Sequence, residues 1–281
     1  MLDLDKLNGS LQSFIKEKIK DFSCKVAIVS GSGQGFIGEK MEVLQSIPFT
    51  DIPGFKATGV SGHAGQVLLA KSAGVPVLFF KGRFHWYAGA TATQFHAMMQ
   101  LSQLLGCETV LLTNASGSLN ATMHPGELVM IDDHINWQTN PLAGAVFGGK
   151  TMFVDMGQPY SKDIQNMLSD SASSSQIKLH TGTYMGVMGP NFETRAEVKL
   201  FRQMGADVVG MSTVADVLVA RFYQLKVGCV SAVVNFGAGM AADQLSHDLT
   251  LDRAQQSSEA LQQLLTLFIQ KYHSLEAHYA S

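Results

Sequence analysis

KVAIVSGSGQG, residues 25–35, is a short apolar run that stops at a turn in which every second residue is glycine. KVAIVS at 25–30 predicts a strand, because its β-branched residues suit a buried pleated sheet. GSGQG at 31–35 predicts a tight turn whose glycines let backbone N–H groups point into an anion, with Ser32 adding a hydroxyl donor. Gly31, Gly33 and Gly35 alternate, so the spacing fails the dinucleotide fingerprint. No Gly-Lys-Ser/Thr follows, so it is not a Walker loop. An ordinary tight turn explains the segment equally well.

Working outward, strand-like segments that run into polar turns recur. Further strand candidates are QVLLA, VPVLFFK, ETVLLT, ELVMID, GTYMGVMG, DVVGMS and VGCVSAVV. Helical periodicity falls at 92–105, 193–204, 214–223 and 251–273, the last with Leu261, Leu264, Leu265, Phe268 and Tyr272 on one face. Leu4, Leu7, Leu11, Phe14 and Ile19 line an amphipathic opening helix. Strands alternating with helices predict an α/β layer structure around a mostly buried sheet. SDSASSSQI at 169–177 reads as a surface loop rather than a linker, so residues 1–281 form one expected domain.

Composition narrows the function classes. The 281 residues are 46% hydrophobic and 15% charged, with a formal charge of −3 and no basic block, which argues against a nucleic-acid partner. No apolar stretch is long enough for a membrane span, and the charged amino terminus is no signal peptide, so a cytoplasmic location is the expectation. Cys24, Cys107 and Cys229 lie far apart in sequence, match no zinc or redox pattern, and read as free thiols or core filler. No metal or cofactor is expected.

The chemistry-bearing residues sit at strand ends, namely Ser32, Arg83, His85, Asn114, Ser212 and Asn235. Ligands of open α/β sheets collect at the carboxyl ends of strands, so this recurrence predicts one shared cleft. Arg83, just past VPVLFF, offers a planar donor fork for phosphate oxygens, and His85 faces the same way in an extended chain. A surface ion pair and a loop histidine are the plainer readings. TNASGSL at 113–119 predicts a small-residue turn after a strand, where the Ala115 N–H reaches an anion; Asn114 alternatively caps that turn. Ser212 offers a hydroxyl, although Ser212 or Thr213 equally suits the cap of the next helix.

The ordered pieces GSGQG, SGHAG, KGRFHWYAG, TNASGSL, DDHIN, GPNFETRAE, GADVVGMSTV, SAVVN and SHDLT resemble the trimeric-class purine nucleoside phosphorylases of the nucleoside phosphorylase superfamily. The resemblance implies a single domain with a central twisted mixed β-sheet flanked by helices. It implies inorganic phosphate, a co-substrate, held by Ser32, His63, Arg83, His85, Ser212 and the Ala115 backbone. Tyr87, Met211 and His247 are implied at the sugar, and Glu193 and Asn235 at the purine, bordered by Phe192 and Tyr184. A homotrimer is implied, with Phe153 entering a neighbouring site. Glu193 accepts from a purine N1–H, and Asn235 donates to charge growing at N7 or O6, which suits 6-oxopurines. Read locally, Glu193 caps a helix and Asn235 belongs to a turn. Departures from the family pattern are Asn191 in GPNFET, Ser116 and Ser118 in TNASGS, and GGKTMFVDMGQPYSKD, which lacks the usual arginine and acid. The rival expectations are a methylthioadenosine-type phosphorylase and a non-catalytic nucleoside-binding protein.

Overall fold

The computed structural model describes residues 2–19, 21–59, 65–241 and 255–280. In chain order the elements are β1 (Leu2–Asp3), α1 (Leu4–Lys18), β2 (Val26–Val29), β3 (Glu42–Pro48), β4 (Gln66–Ser72) and β5 (Val75–Lys81). There follow α2 (Ala92–Leu104), β6 (Thr109–Ser118), β7 (Leu128–Trp137), β8 (Ala145–Val146), α3 (Lys162–Ser174) and β9 (Leu179–Val187). The chain continues through α4 (Arg195–Gln203), β10 (Val208–Gly210), α5 (Val214–Phe222), β11 (Lys226–Phe236) and α6 (Ser258–Ala280).

Nine of the strands form one mixed sheet in the order β10-β9-β7-β11-β6-β2-β5-β4-β3. β2 runs parallel to both β5 and β6, and β6 runs parallel to β11. β3, β4 and β5 are joined antiparallel, as are β7 and β11. β10 pairs with β9 on one side and with Gly117 and Ser118 of β6 on the other, which closes β6, β11, β7, β9 and β10 into a barrel-like ring. Val26, Ala27, Ile28 and Val29 are all buried, as a strand covered on both faces requires.

One hydrophobic cluster packs α1, α2 and α5 against one face, through Leu4, Leu11, Phe95, Met98, Val217 and their neighbours. A second packs α3 and α6 against the other, through Ile164, Leu168, Leu261, Leu264 and Phe268. The opening helix follows its apolar stripe, with Asp3 accepting from the Lys6 N–H at its start.

Two local expectations are corrected, and one strand is added. The serine-rich stretch from 169 is largely helix, because Ile164, Leu168 and Ala172 make an apolar stripe, and the Ser171, Ser173 and Ser174 hydroxyls donate to carbonyls three or four residues back. TNASGS at 113–118 is not a turn but the continuation of β6, since β11 runs beside it and pairs as far as Ser118. β3 was not foreseen; it is an edge strand with only Ile47 buried, so it shows little apolar alternation.

Candidate active site

At the carboxyl ends of β2, β5, β6 and β11 lies a cavity of about 400 Å³. Ser32, Arg83, His85, Asn114, Ala115, Ser212 and Asn235 line it together with Tyr87, Phe192, Glu193 and Met211. The expected strand ends therefore meet in one cleft. β2 stops pairing with β6 at Val29 and Leu112, and β10 takes up the same edge only at Gly117. Between them, among the described residues, the β6 edge has no strand partner, which leaves backbone polar groups around Ala115 beside the cavity.

The GSGQG turn fits against that edge. A Cβ on Gly31 would come within 2.7 Å of the Asn114 Cα, so only glycine allows the approach. Gln34 secures the turn, donating from Nε2 to the Asn114 carbonyl at 2.9 Å and accepting the Gly31 N–H at 3.2 Å.

Beneath the cavity runs a buried polar network. Arg83 exposes none of its surface; its Nη1 donates to Ser212 Oγ at 3.2 Å and Thr213 Oγ1 at 3.0 Å, and its Nη2 donates to the Val29 carbonyl at 3.2 Å. It is therefore no surface ion-pair partner. Asn114 donates to Thr213 Oγ1 at 2.9 Å and accepts from Ser231 Oγ at 2.5 Å, so it ties strands together rather than capping a turn. Thr213 stands at the start of α5 with φ of 69°, unfavourable for a β-branched residue, and its side chain makes no cap hydrogen bond. Its hydroxyl serves Arg83 and Asn114 instead.

Sequence reading missed Asp216. It is fully buried on α5, with Oδ2 3.7 Å from Arg83 Nη1 and, among the described residues, no carboxylate hydrogen bond of normal length. Burial pushes its pKa up to about 6, with Arg83 and the Thr213 backbone pulling the other way. The signal was present: Asp216 is the one acid in VADVLVA, whose other residues are all buried and apolar.

Glu193 and Asn235 line the same cavity. Glu193 does not cap α4; Thr194 and Glu197 form the capping box, and the helix starts at Arg195. Burial raises the Glu193 pKa above its ordinary value. Asn235 follows a bulge in β11, where the register against β6 shifts between Val233 and Asn235. The shift places both Val234 and Asn235 on the cavity wall. One Asn235 amide hydrogen goes to the Phe236 carbonyl at 2.9 Å.

Tyr87 stacks obliquely on His85, ring centroids 4.8 Å apart, and burial raises its pKa. Tyr184 is not on the cavity wall. It is wholly buried behind it, accepting the Ser212 N–H at 3.3 Å, and Gly210 has no side chain to collide with its hydroxyl. Phe153 is also absent from the wall and is 95% exposed. His63 and His247 lie outside the described residues. Among the described residues no cluster of metal-ligating side chains gathers, and no helix is long and apolar enough to cross a membrane.

A cleft that gathers strand-end donors, a carboxylate and an amide has the chemical make-up of a phosphorylase site. The chain belongs to the phosphorylase superfamily, whose family model matches residues 25–270. It is 36% identical to "Purine nucleoside phosphorylase 1" of Bacillus subtilis over 264 residues, covering 92% of this chain and 96% of that protein. It is 34% identical to the purine nucleoside phosphorylase of Bos taurus, covering 87% and 88%. Among solved structures, isoform 2 of purine nucleoside phosphorylase from Schistosoma mansoni, in complex with cytosine and ribose-1-phosphate, superposes with a TM-score of 0.87 at 28% identity, covering 94% of this chain and 95% of that one.

Proposed function

We infer that this chain is a purine nucleoside phosphorylase, a pentosyltransferase that exchanges the base of a purine nucleoside for inorganic phosphate. The observation that carries the reading is that one cavity is lined by Ser32, Arg83, Ala115 and Ser212 together with Glu193 and Asn235. A non-catalytic nucleoside binder has no use for a cationic, donor-rich floor beneath the sugar.

The chemistry follows from charge. As the glycosidic bond stretches, the sugar becomes cationic and the purine anionic. Phosphate held by Ser32, Arg83, His85, the Ala115 backbone and Ser212 steadies the cation and attacks C1′ with inversion. His63 completes that set in this reading, and His247 takes the 5′-hydroxyl. Tyr87 and Met211 flank the sugar, and Phe192 borders the base.

Asn235 keeps a second amide hydrogen and a carbonyl oxygen for the purine. Aimed at N7 or O6, that donor stabilises the departing base by roughly 3 kcal/mol, or about 100-fold in rate. Glu193 is partly buried and burial raises its pKa, so a hydrogen bond from N1–H to its carboxylate is strengthened there. A 6-oxopurine offers that N1–H and adenine does not, so inosine, guanosine and xanthosine are the proposed substrates. No covalent sugar–enzyme step, metal or organic cofactor is needed.

The reading includes a cytoplasmic homotrimer in which Phe153 reaches a neighbouring sugar pocket; its near-complete exposure on one chain supports that use. The test follows base release from inosine, guanosine, xanthosine and adenosine, with and without phosphate. Phosphate-dependent release from the 6-oxopurine nucleosides is expected. Equal release without phosphate overturns phosphorolysis, and a strong adenosine preference overturns the base assignment. Mass in solution tests the trimer, and Phe153→Ala tests the shared pocket through a raised KM for nucleoside.

A further inference from the structure

Cys24 and Cys107 are 83 positions apart in sequence, yet their sulfurs lie 3.3 Å from one another in the buried base of the sheet. Both are free, buried thiols, as the sequence suggests, and the strand register is what brings them together. Val26 of β2 and Thr109 of β6 are register partners in a parallel pair, and each cysteine stands two residues before its partner. Adjacent strands run about 4.8 Å apart, inside the Cα separation of about 4.4–6.8 Å that a disulfide requires.

The backbone holds both residues in place. The Cys24 N–H donates to the Leu105 carbonyl at 3.1 Å, and the Cys107 N–H to the Ser102 carbonyl at 3.0 Å. The Glu108 and Thr109 N–H groups both donate to the Lys25 carbonyl, at 2.9 and 3.1 Å. A Lys25–Glu108 ion pair joins the residues that follow the two cysteines. Both cysteines are free, each exposing 5% or less. Closing the bond requires the sulfurs to approach by little more than 1 Å, toward about 2.05 Å.

We propose that Cys24 and Cys107 are a redox-modifiable pair that closes to an intrachain disulfide by exchange with a small organic disulfide. One cysteine thiolate attacks the reagent, forms a mixed disulfide and releases one organic thiol. The other cysteine then attacks the protein sulfur of that mixed disulfide and releases the second thiol. The two cysteine protons end on the two released thiols, the cysteines are oxidised by two electrons, and the reagent is reduced by two.

The bond joins the amino ends of β2 and β6, whose other ends carry the GSGQG turn and Ala115. It therefore constrains the unfolded chain without reaching the cavity. Closing so long a loop raises Tm by roughly 5–10 °C.

The experiment treats the full chain with oxidised glutathione, alkylates the remaining thiols in denaturant, and maps peptides by mass. The expected result is a linked 24–107 peptide pair, a mass lower by two hydrogens, alkylation confined to Cys229, a higher Tm reversed by a dithiol, and catalytic rate unchanged within about 2-fold. Cys24→Ser and Cys107→Ser should each abolish the link and the Tm rise. Because burial slows reagent entry, a second arm refolds the denatured chain in a glutathione redox buffer, where access does not limit pairing. Three free thiols in the refolded chain, a stable glutathione adduct on Cys24 or Cys107, or a link to Cys229 would each overturn the proposal.

Discussion

The two ends of the central strands are built from different materials. At the amino ends of β2, β6 and β11 the contacts are tight and mostly apolar: Cys24 meets Cys107, Val110 and Val227 are fully buried, and Thr109 donates to the Tyr272 hydroxyl at 3.2 Å. Toward the carboxyl ends, only a few residues on, stand Asn114, Ser116 and Ser231, with Arg83 just past β5 and Asp216 on α5 beside them, all buried and polar. Ser231 donates to Asn114 and, at 2.6 Å, meets Ser116 Oγ, which must then be the donor. One end stabilises the fold; the other carries buried polarity, a bulge and a strained Thr213 for the sake of a site. The amino end bears on stability alone, whereas the carboxyl end bears on function and, through the buried Arg83–Asp216 pair, on stability as well.

That contrast breaks if carboxyl-end substitutions leave the kinetics alone. Glu193→Ala should lower kcat/KM for inosine by about 10²–10³-fold while changing stability by no more than about 0.5 kcal/mol, since the residue lies in a loop before α4. Steady-state kinetics and a denaturant melt check both halves. Asn235→Ala should cost about 100-fold, mainly in kcat, because its donor is needed as charge develops on the base. Arg83→Ala should raise the KM for phosphate at least about tenfold and also destabilise the chain by roughly 3 kcal/mol, because Asp216 is left buried without its counter-charge.

Asp216 sharpens the comparison through pH. Its folded pKa, about 6, lies above the ordinary 3.8, so folding favours the protonated form. That contribution is complete below the unfolded pKa and is lost as pH rises through 6. The stability of the wild type relative to Asp216→Asn should therefore fall by up to ~3 kcal/mol between pH 4 and pH 7. Denaturant unfolding at several pH values would show it; a flat difference, or one of opposite slope, removes the buried carboxylate from the account. The smallest effect belongs to the amino end. Thr109→Val should cost about 1 kcal/mol through the lost hydrogen bond to Tyr272 and leave kcat and KM unchanged.

Much of this was legible from residue order. The strand-then-turn rhythm located β2, β5, β6, β10 and β11, and the polar residues at their ends meet in one cavity. Features that depend on pairing were not legible. TNASGS looks like a turn until β11 is placed beside it, and Cys24 and Cys107 look unrelated until the register of β2 and β6 is known. The helix containing 169–174 was hidden because serine favours loops in isolation, whereas here Ile164, Leu168 and Ala172 supply the packing that decides. Tyr184 carries the chemistry of a site residue but props up the Ser212 backbone from behind, a distinction of facing that a strand's sequence does not settle.

The decisive measurement is a crystal structure of the chain grown with inorganic phosphate and hypoxanthine together. The account predicts the anion among Ser32, Arg83, Ala115 and Ser212, with the purine against Glu193 and Asn235 in the same cavity. Phosphate bound away from Arg83, or a purine that leaves Glu193 and Asn235 untouched, would contradict it.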